Sequence, residues 1–342
     1  MRPAVLALLL AAAAPAGALV QNVGTSSSEF LRLGAGARSL GMGEASTAVS
    51  EGPDAVYWNP AGLGQMTRPE VLYSRAELPA GVHHDYLAFG APSEWLHGTV
   101  AVALTRLSQD NLALVDASNQ TQGSFAPHSE AYSVAYGHQF SDNDPMVASR
   151  DYFRENWNLP RADRPYQDER EPWTGEIAAG GALKFISENL GTRRATSFAV
   201  DGGMLYRPSN LHELILAGAI RHLGQKIRFI TENEPLPTEA AVSAAYDARL
   251  DDWRLLPAVE LSAPYAGNFY GKFGFEGTHA VGLNMSAAGR IGYSTRTAPD
   301  LGALSGLSFG VGLEVGGFRF DAAFQPMSLL GSSLRIGAGW RF

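Results

Sequence analysis

The chain has 342 residues, 45% hydrophobic and 18% charged, with a formal net charge of -8 and no cysteine. The lack of cysteine excludes a disulfide scaffold, a thiolate-ligated metal or iron-sulfur site and a thiol nucleophile. The acidic balance argues against a non-specific nucleic-acid binder, whose affinity comes from clustered Lys and Arg.

Taken from the N-terminus, Met1-Arg2-Pro3 is a short positive region, Ala4 to Ala14 is an apolar stretch, and Ala16-Gly17-Ala18 is an A-x-A cleavage site. This reads as a secretory signal peptide over 1–18, too short in its apolar part to span a membrane as a helix. Residues 19–68 show no sustained alternation and are rich in Gly and Ala. A short helix is expected around Ser39 to Val49, with turns at Gly52-Pro53 and Asn59-Pro60. Gly34, Gly36, Gly41 and Gly43 would allow positive φ and close backbone approach.

From Pro69 onward, polarity alternates in segments of about 8 to 12 residues separated by Gly, Pro, Asn, Asp and Ser. Strands are expected at 69–78, 83–92, 97–107, 130–140, 177–188, 197–207, 213–223, 239–248, 255–264, 268–277, 284–295, 306–315, 318–326 and 333–342. One face is greasy: Leu334, Ile336, Ala338, Trp340 and Phe342 in the last segment, and Tyr132, Val134, Tyr136, His138 and Phe140 in the fourth. The other face is dominated by Gly, Ala and Ser with scattered charges such as Lys272 and Glu276. Small inward residues suit a closed, crowded barrel, and an even strand count returns the chain to its starting side. The expected fold is therefore an all-β transmembrane antiparallel barrel of about fourteen strands over 69–342, with residues 19–68 as a hatch inside it. The remaining charge is expected mainly in loops, above all 141–176. That insertion mixes Arg and Asp with Tyr152, Phe153, Trp157, Tyr166 and Trp173, a composition that interaction surfaces favour. By strand count it falls on the periplasmic side, and 224–238 on the outer side.

Tempting motifs fail on context. Gly306-Leu307-Ser308-Phe309-Gly310 matches G-x-S-x-G, but inside an alternating strand instead of a strand-to-helix elbow. His83 and His84 point to opposite faces of one strand and cannot share an ion without a bend. No metal, no cofactor and no catalytic residue is expected, so the chain reads as a non-enzyme.

Two runs carry a resemblance: GARSLGMG (Gly36 to Gly43, including Arg38 and Gly41) and YWNPAGL (Tyr57, Trp58, Asn59, Pro60, Ala61, Gly62, Leu63), about 14 residues apart. With the glycine-rich barrel they resemble the PorV/PorQ family, relatives of the FadL-type fatty-acid channels of the outer membrane. The resemblance implies that these residues form the hatch. It also implies residence in the outer membrane of a Gram-negative-type bacterium, and Trp340 and Phe342 as a terminal signal read by the barrel-assembly machinery. The function it implies is docking or shuttling of secreted cargo through its C-terminal signal domain, in type IX secretion. The alternative is a FadL-like channel for long-chain fatty acids or other hydrophobic small molecules. The partners are then outer-membrane lipid and either cargo or such a ligand, with no nucleic acid.

Overall fold

The computed structural model describes residues 26–116, 118, 120–140, 176–191, 193–208, 210–228, 233–282, 284–328 and 331–342. The signal-peptide segment and the aromatic residues Tyr152, Phe153, Trp157, Tyr166 and Trp173 lie outside them.

Fourteen antiparallel strands form the barrel: β1 Glu70–Leu78, β2 Val82–Ser93, β3 Gly98–Gln109, β4 His128–Phe140, β5 Glu176–Asn189, β6 Arg194–Arg207, β7 Leu214–Gly224, β8 Glu239–Tyr246, β9 Trp253–Pro264, β10 Tyr270–Gly282, β11 Met285–Ser294, β12 Leu307–Val315, β13 Phe318–Pro326 and β14 Ser332–Arg341. Each pairs with its chain neighbours, and β1 also pairs with β14, so the sheet has no free edge. Closure satisfies every strand and is what allows a sheet to sit in lipid. All fourteen expected segments are present. The sequence reading missed a two-stranded hairpin, Leu112–Val115 with Thr121–Phe125, and a short pair, Ile227–Arg228 with Asn233–Glu234. Both lie in connections at the same end of the barrel and add nothing to its wall.

The two ends differ. Connections 94–97, 208–213, 283–284 and 316–317 are short, and Gly316 and Gly317 turn with φ of 57° and 88°, as a two-residue hairpin requires. β4 ends and β5 begins at this end, while β7 and β8 are joined at the other; the segment 141–175 lies outside the described residues.

Alternation along each strand sorts side chains by face. Leu183, Phe198, Val242, Val311 and Ile336 are exposed on the outside. At the short-turn end Trp340 stacks on Phe318 at 5.5 Å, and Phe342 lies 4.8 Å from Trp340 and 6.4 Å from Phe89. The inward face is more polar than the sequence reading held. Lys184, Asp201, Arg221, Glu239, Glu260, Lys272, Glu276, Arg290, Asp321 and Arg335 are all buried on strands. Charge thus lies in the lumen as well as in loops, and all of these groups except Arg335 stand beside an opposite charge there.

Residues 26–68 run through the lumen from end to end. Ser27 N donates to Pro235 O (2.9 Å) at the long-loop end, and Phe342 N to Pro69 O (3.1 Å) at the other. Two one-turn helices, α1 Ala37–Gly41 and α2 Ala55–Trp58, and a 3-10 segment Pro60–Gln65 form this plug. The helix expected over Ser39 to Val49 stops at Gly41 because Gly43 and Glu44 both take positive φ, 62° and 63°.

A charge on the outer face at mid-strand would have to enter hydrocarbon. Leu183→Arg, at the middle of β5 and 67% exposed, is expected to destabilise the barrel by about 2–4 kcal/mol, measured by urea unfolding in lipid bilayers.

Candidate functional site

The site is the seam between plug and wall, and each sequence motif docks on its own part of it. YWNPAGL meets β4, β5 and β6, where Gly137, Gly180 and Gly203 are direct cross-strand partners in one row. A Cβ on Gly180 would stand 2.3 Å from Pro60 C and 2.6 Å from Ala61 N. One on Gly137 would stand 2.5 Å from Pro60 O, and one on Gly203 2.0 Å from Asn59 Oδ1. The wall is therefore stripped to backbone where the plug presses on it. Asn59 is extended (φ -162°), and its Oδ1 accepts from Ala61 N at 3.1 Å while its Nδ2 donates to Thr47 O (2.9 Å) and to Met204 O of the wall (3.2 Å). This is the Asx turn that Asn before Pro favours. Gly62 abuts Ser50 O inside the plug itself.

GARSLGMG docks six strands further round, on β10, β11 and β12. Gly274, Gly292 and Ser308 form the matching row. Cβ atoms on Gly274 and Gly292 would meet Met42 and Gly43 backbone at 2.5 Å and 1.9 Å, and Gly41 lies against Gly310. Gly43 N donates to Ser308 Oγ at 3.1 Å. The serine of the literal G-x-S-x-G run thus anchors the plug, and its flanking Gly310 makes room for it. Gly36 precedes α1 with φ 81°.

Charge reinforces both seams. Arg38 of α1 donates from Nε and Nη2 to the two oxygens of Glu276, each at 2.8 Å, and from Nη1 to Val49 O at 3.1 Å. Glu276 also accepts from Arg290 (2.6 Å), which reaches Asp321 (2.7 Å). On the other side, Trp58 lies between Arg221 and Lys272, each 5.3 Å from its ring, and Arg221 Nη1 donates to Trp58 O at 3.2 Å. Arg221 pairs with Glu239, and Lys272 with Glu260 at 2.8 Å. Tyr57 donates to Leu31 O, accepts from Gly34 N (3.1 Å) and has Lys184 over its ring at 5.5 Å.

Arg221 reaches the plug together with its neighbour because the wall is irregular there. The β6–β7 register shifts between Val200 and Gly202, and His222 takes φ 58°. This β-bulge turns Arg221 and His222 inward, both 2% exposed. His222 N donates to Asp201 Oδ1 (2.7 Å), and Asp201 also takes Lys184.

Between plug and wall lies a crevice with room for about one water, lined by Glu44, Tyr57, Trp58, Arg221, Tyr270 and Arg296 among others. Among the described residues this crevice has no room for an organic ligand.

All ten hatch residues named from the sequence lie in this seam or brace it. Their wall partners were missed. The inward charges were visible as polar-face residues, Lys272 and Glu276 among them, but alternation says which face a residue takes, not which partner it meets.

No protein family and no curated protein matches the sequence. Among solved structures the chain is similar to the toluene transporter TbuX of Ralstonia pickettii, with 13% identity and a TM-score of 0.55 over 90% of this chain and 98% of that one. It is also similar to the toluene transporter TodX of Pseudomonas putida, with 11% identity and a TM-score of 0.52 over 90% and 96%. The chain shares their fold.

The seam makes two predictions. Gly180→Ala is expected to cost about 1–3 kcal/mol and to unseat the plug, read as new protease cuts within 26–68. Gly181→Ala, where the added carbon meets only Asp201 O at 3.6 Å, should leave the pattern unchanged. The second concerns Asp54, 2% exposed with Oδ1 lacking a hydrogen-bond partner. Burial pushes its carboxyl up to about 6 against the pull of Arg319 and Arg38, with Glu70 and Glu51 adding to the rise. The docked plug therefore holds a proton that a released one gives up. This contribution to docking is complete below the ordinary carboxylate range and is lost as pH rises through about 6. Protease protection of the plug is expected to be greater at pH 5 than at pH 7.5, and Asp54→Asn to remove the difference.

Proposed function

We propose that the protein is an outer-membrane channel for small hydrophobic compounds, with the plug as its gate. The observation that carries this reading is that the plug lies in the lumen and, apart from its chain link to β1, is held by non-covalent contacts: two glycine seams and ion pairs to the wall. A barrel plugged in this way passes nothing until the plug shifts. Support comes from the fold in common with TbuX and TodX, both described as toluene transporters, and from the charge-free outer faces of most strands, which suit an outer-membrane location. The reading takes Trp340 and Phe342, both exposed, as the barrel-assembly signal.

A second reading, cargo docking in type IX secretion, rests on the two PorV/PorQ-like motifs, both of which lie in the plug.

A locked plug separates the two readings. Ala37 Cβ lies 3.6 Å from where a Cβ on Gly337 of β14 would stand, inside the range that a disulfide bridges, and the chain has no other cysteine. In cells lacking their own hydrophobic-compound transporters, the wild type is expected to raise uptake of labelled toluene or oleate several-fold. The oxidised Ala37→Cys/Gly337→Cys protein should fall to background and recover on reduction. Undiminished uptake with the bridge formed overturns the gate. If the wild type moves neither compound but retains secreted proteins in outer-membrane pull-downs, docking replaces transport.

A further inference from the structure

Two of the buried nitrogen atoms that lack a hydrogen-bond partner belong to side chains on one row of the wall. His84 of β2, Ala76 of β1 and Arg335 of β14 are direct cross-strand partners in one row on the inward face. His84 and Arg335 are 2% and 3% exposed, and neither His84 Nε2 nor Arg335 Nε has a hydrogen-bond partner. The terminal nitrogens of Arg335 donate to two plug carbonyls, Leu33 O at 2.7 Å and Gly36 O at 3.5 Å. The carbonyls accept from its terminal nitrogens only, and they leave its charge unbalanced.

The contrast with the rest of the lumen is sharp. Lys184, Arg221, Lys272, Arg290 and Arg319 each stand beside a carboxylate. Arg335 has none within 4 Å among the described residues. The charge of Glu44 reaches it, but that carboxylate is engaged by Arg296 at 3.5 Å. The charge of Arg335 in turn reaches His84, so the two side chains share one environment. A buried cation without a counter-charge is costly, and so is a buried donor without an acceptor.

The geometry answers both at once. Neighbouring strands lie about 4.8 Å apart, so the two Cα atoms stand roughly 10 Å apart across Ala76. Both residues are buried on the inward face, one on each side of Ala76, and Arg335 reaches the plug backbone at Leu33 and Gly36. One small acceptor between them would satisfy both Nε and Nε2, the latter in its protonated tautomer. We propose that His84 and Arg335 form a binding site for one monovalent anion, with Ala76 as its floor. Chloride has this chemistry, and so does the carboxylate end of an amphipathic molecule. The site is independent of the transport reading, since it follows from charge balance inside the closed barrel.

The test uses the full-length protein in non-ionic detergent, with bulky isethionate as the reference anion. Replacing isethionate by bromide is expected to raise Tm saturably, and bromide anomalous diffraction to place a peak between His84 and Arg335. His84→Leu removes one donor and no hydrogen bond to the plug, and Ala76→Leu fills the floor. Each is expected to weaken apparent bromide affinity at least tenfold. Decanoate identifies the source: displacement of bromide by decanoate marks a seat for a ligand's carboxylate, and no displacement marks a resident halide. Either supports the site. A Tm indifferent to the anion with no peak in this space overturns it, as does a bromide effect that survives undiminished in His84→Leu. None of these measurements involves uptake, so failure of the gate and failure of the anion site are told apart.

Discussion

About forty residues of irregular chain are buried inside a sheet that has no spare backbone groups to offer them, and their N–H and C=O groups must still be paired. Much of the lumen answers that constraint. Cations of the wall cover plug carbonyls: Arg221 that of Trp58, Arg335 those of Leu33 and Gly36, and Arg296 that of Arg32. Acceptors of the wall cover plug N–H groups, Glu260 that of Thr47 and Ser308 that of Gly43. The plug supplies others through its own backbone and through the side chains of Asn59, Tyr57 and Trp58. The ion pairs then follow as a second requirement, since long donors brought into the lumen carry charge that has to be balanced.

This ordering explains why the lumen is both charged and glycine-rich. Buried ion pairs add little net stability over an apolar core, but breaking one is expensive, so they favour a single seating of the plug over near alternatives. Glycine rows act by proximity: they bring two backbones into contact and leave the polar groups to fix register. Arg38 with Glu276 and Asn59 with Met204 O are the directional contacts on the two seams, and the rows around them set the depth.

The barrel was legible in the sequence because strand alternation is a local signal with a period of two. Each of the fourteen segments announces itself without reference to its neighbours, and Gly316-Gly317 announces its turn. The plug was legible as an interruption of that rhythm, and its two motifs mark its two docking points. Its internal path was not legible: the positive φ of Glu44 that ends α1 has no marker in its residue type. Nor could the wall side of the seam be read. Gly137, Gly180 and Gly203 are 23 to 66 positions apart in the chain and become one surface only through register, which depends on connections of very different length. The bulge that turns Arg221 and His222 inward breaks the alternation rule itself, so reading by that rule conceals it.

The glycine rows have a consequence for how this protein can change over time. A mutation at glycine can only add atoms, and here the added atom meets backbone, which has no smaller form to retreat to. A lost ion pair can be restored by a second charge elsewhere in the lumen, whereas a filled seam can be repaired only by reverting. The charged part of the lumen is therefore free to be rewritten in many ways among relatives, while the five glycines of the two rows and the plug backbone they receive are held fixed together.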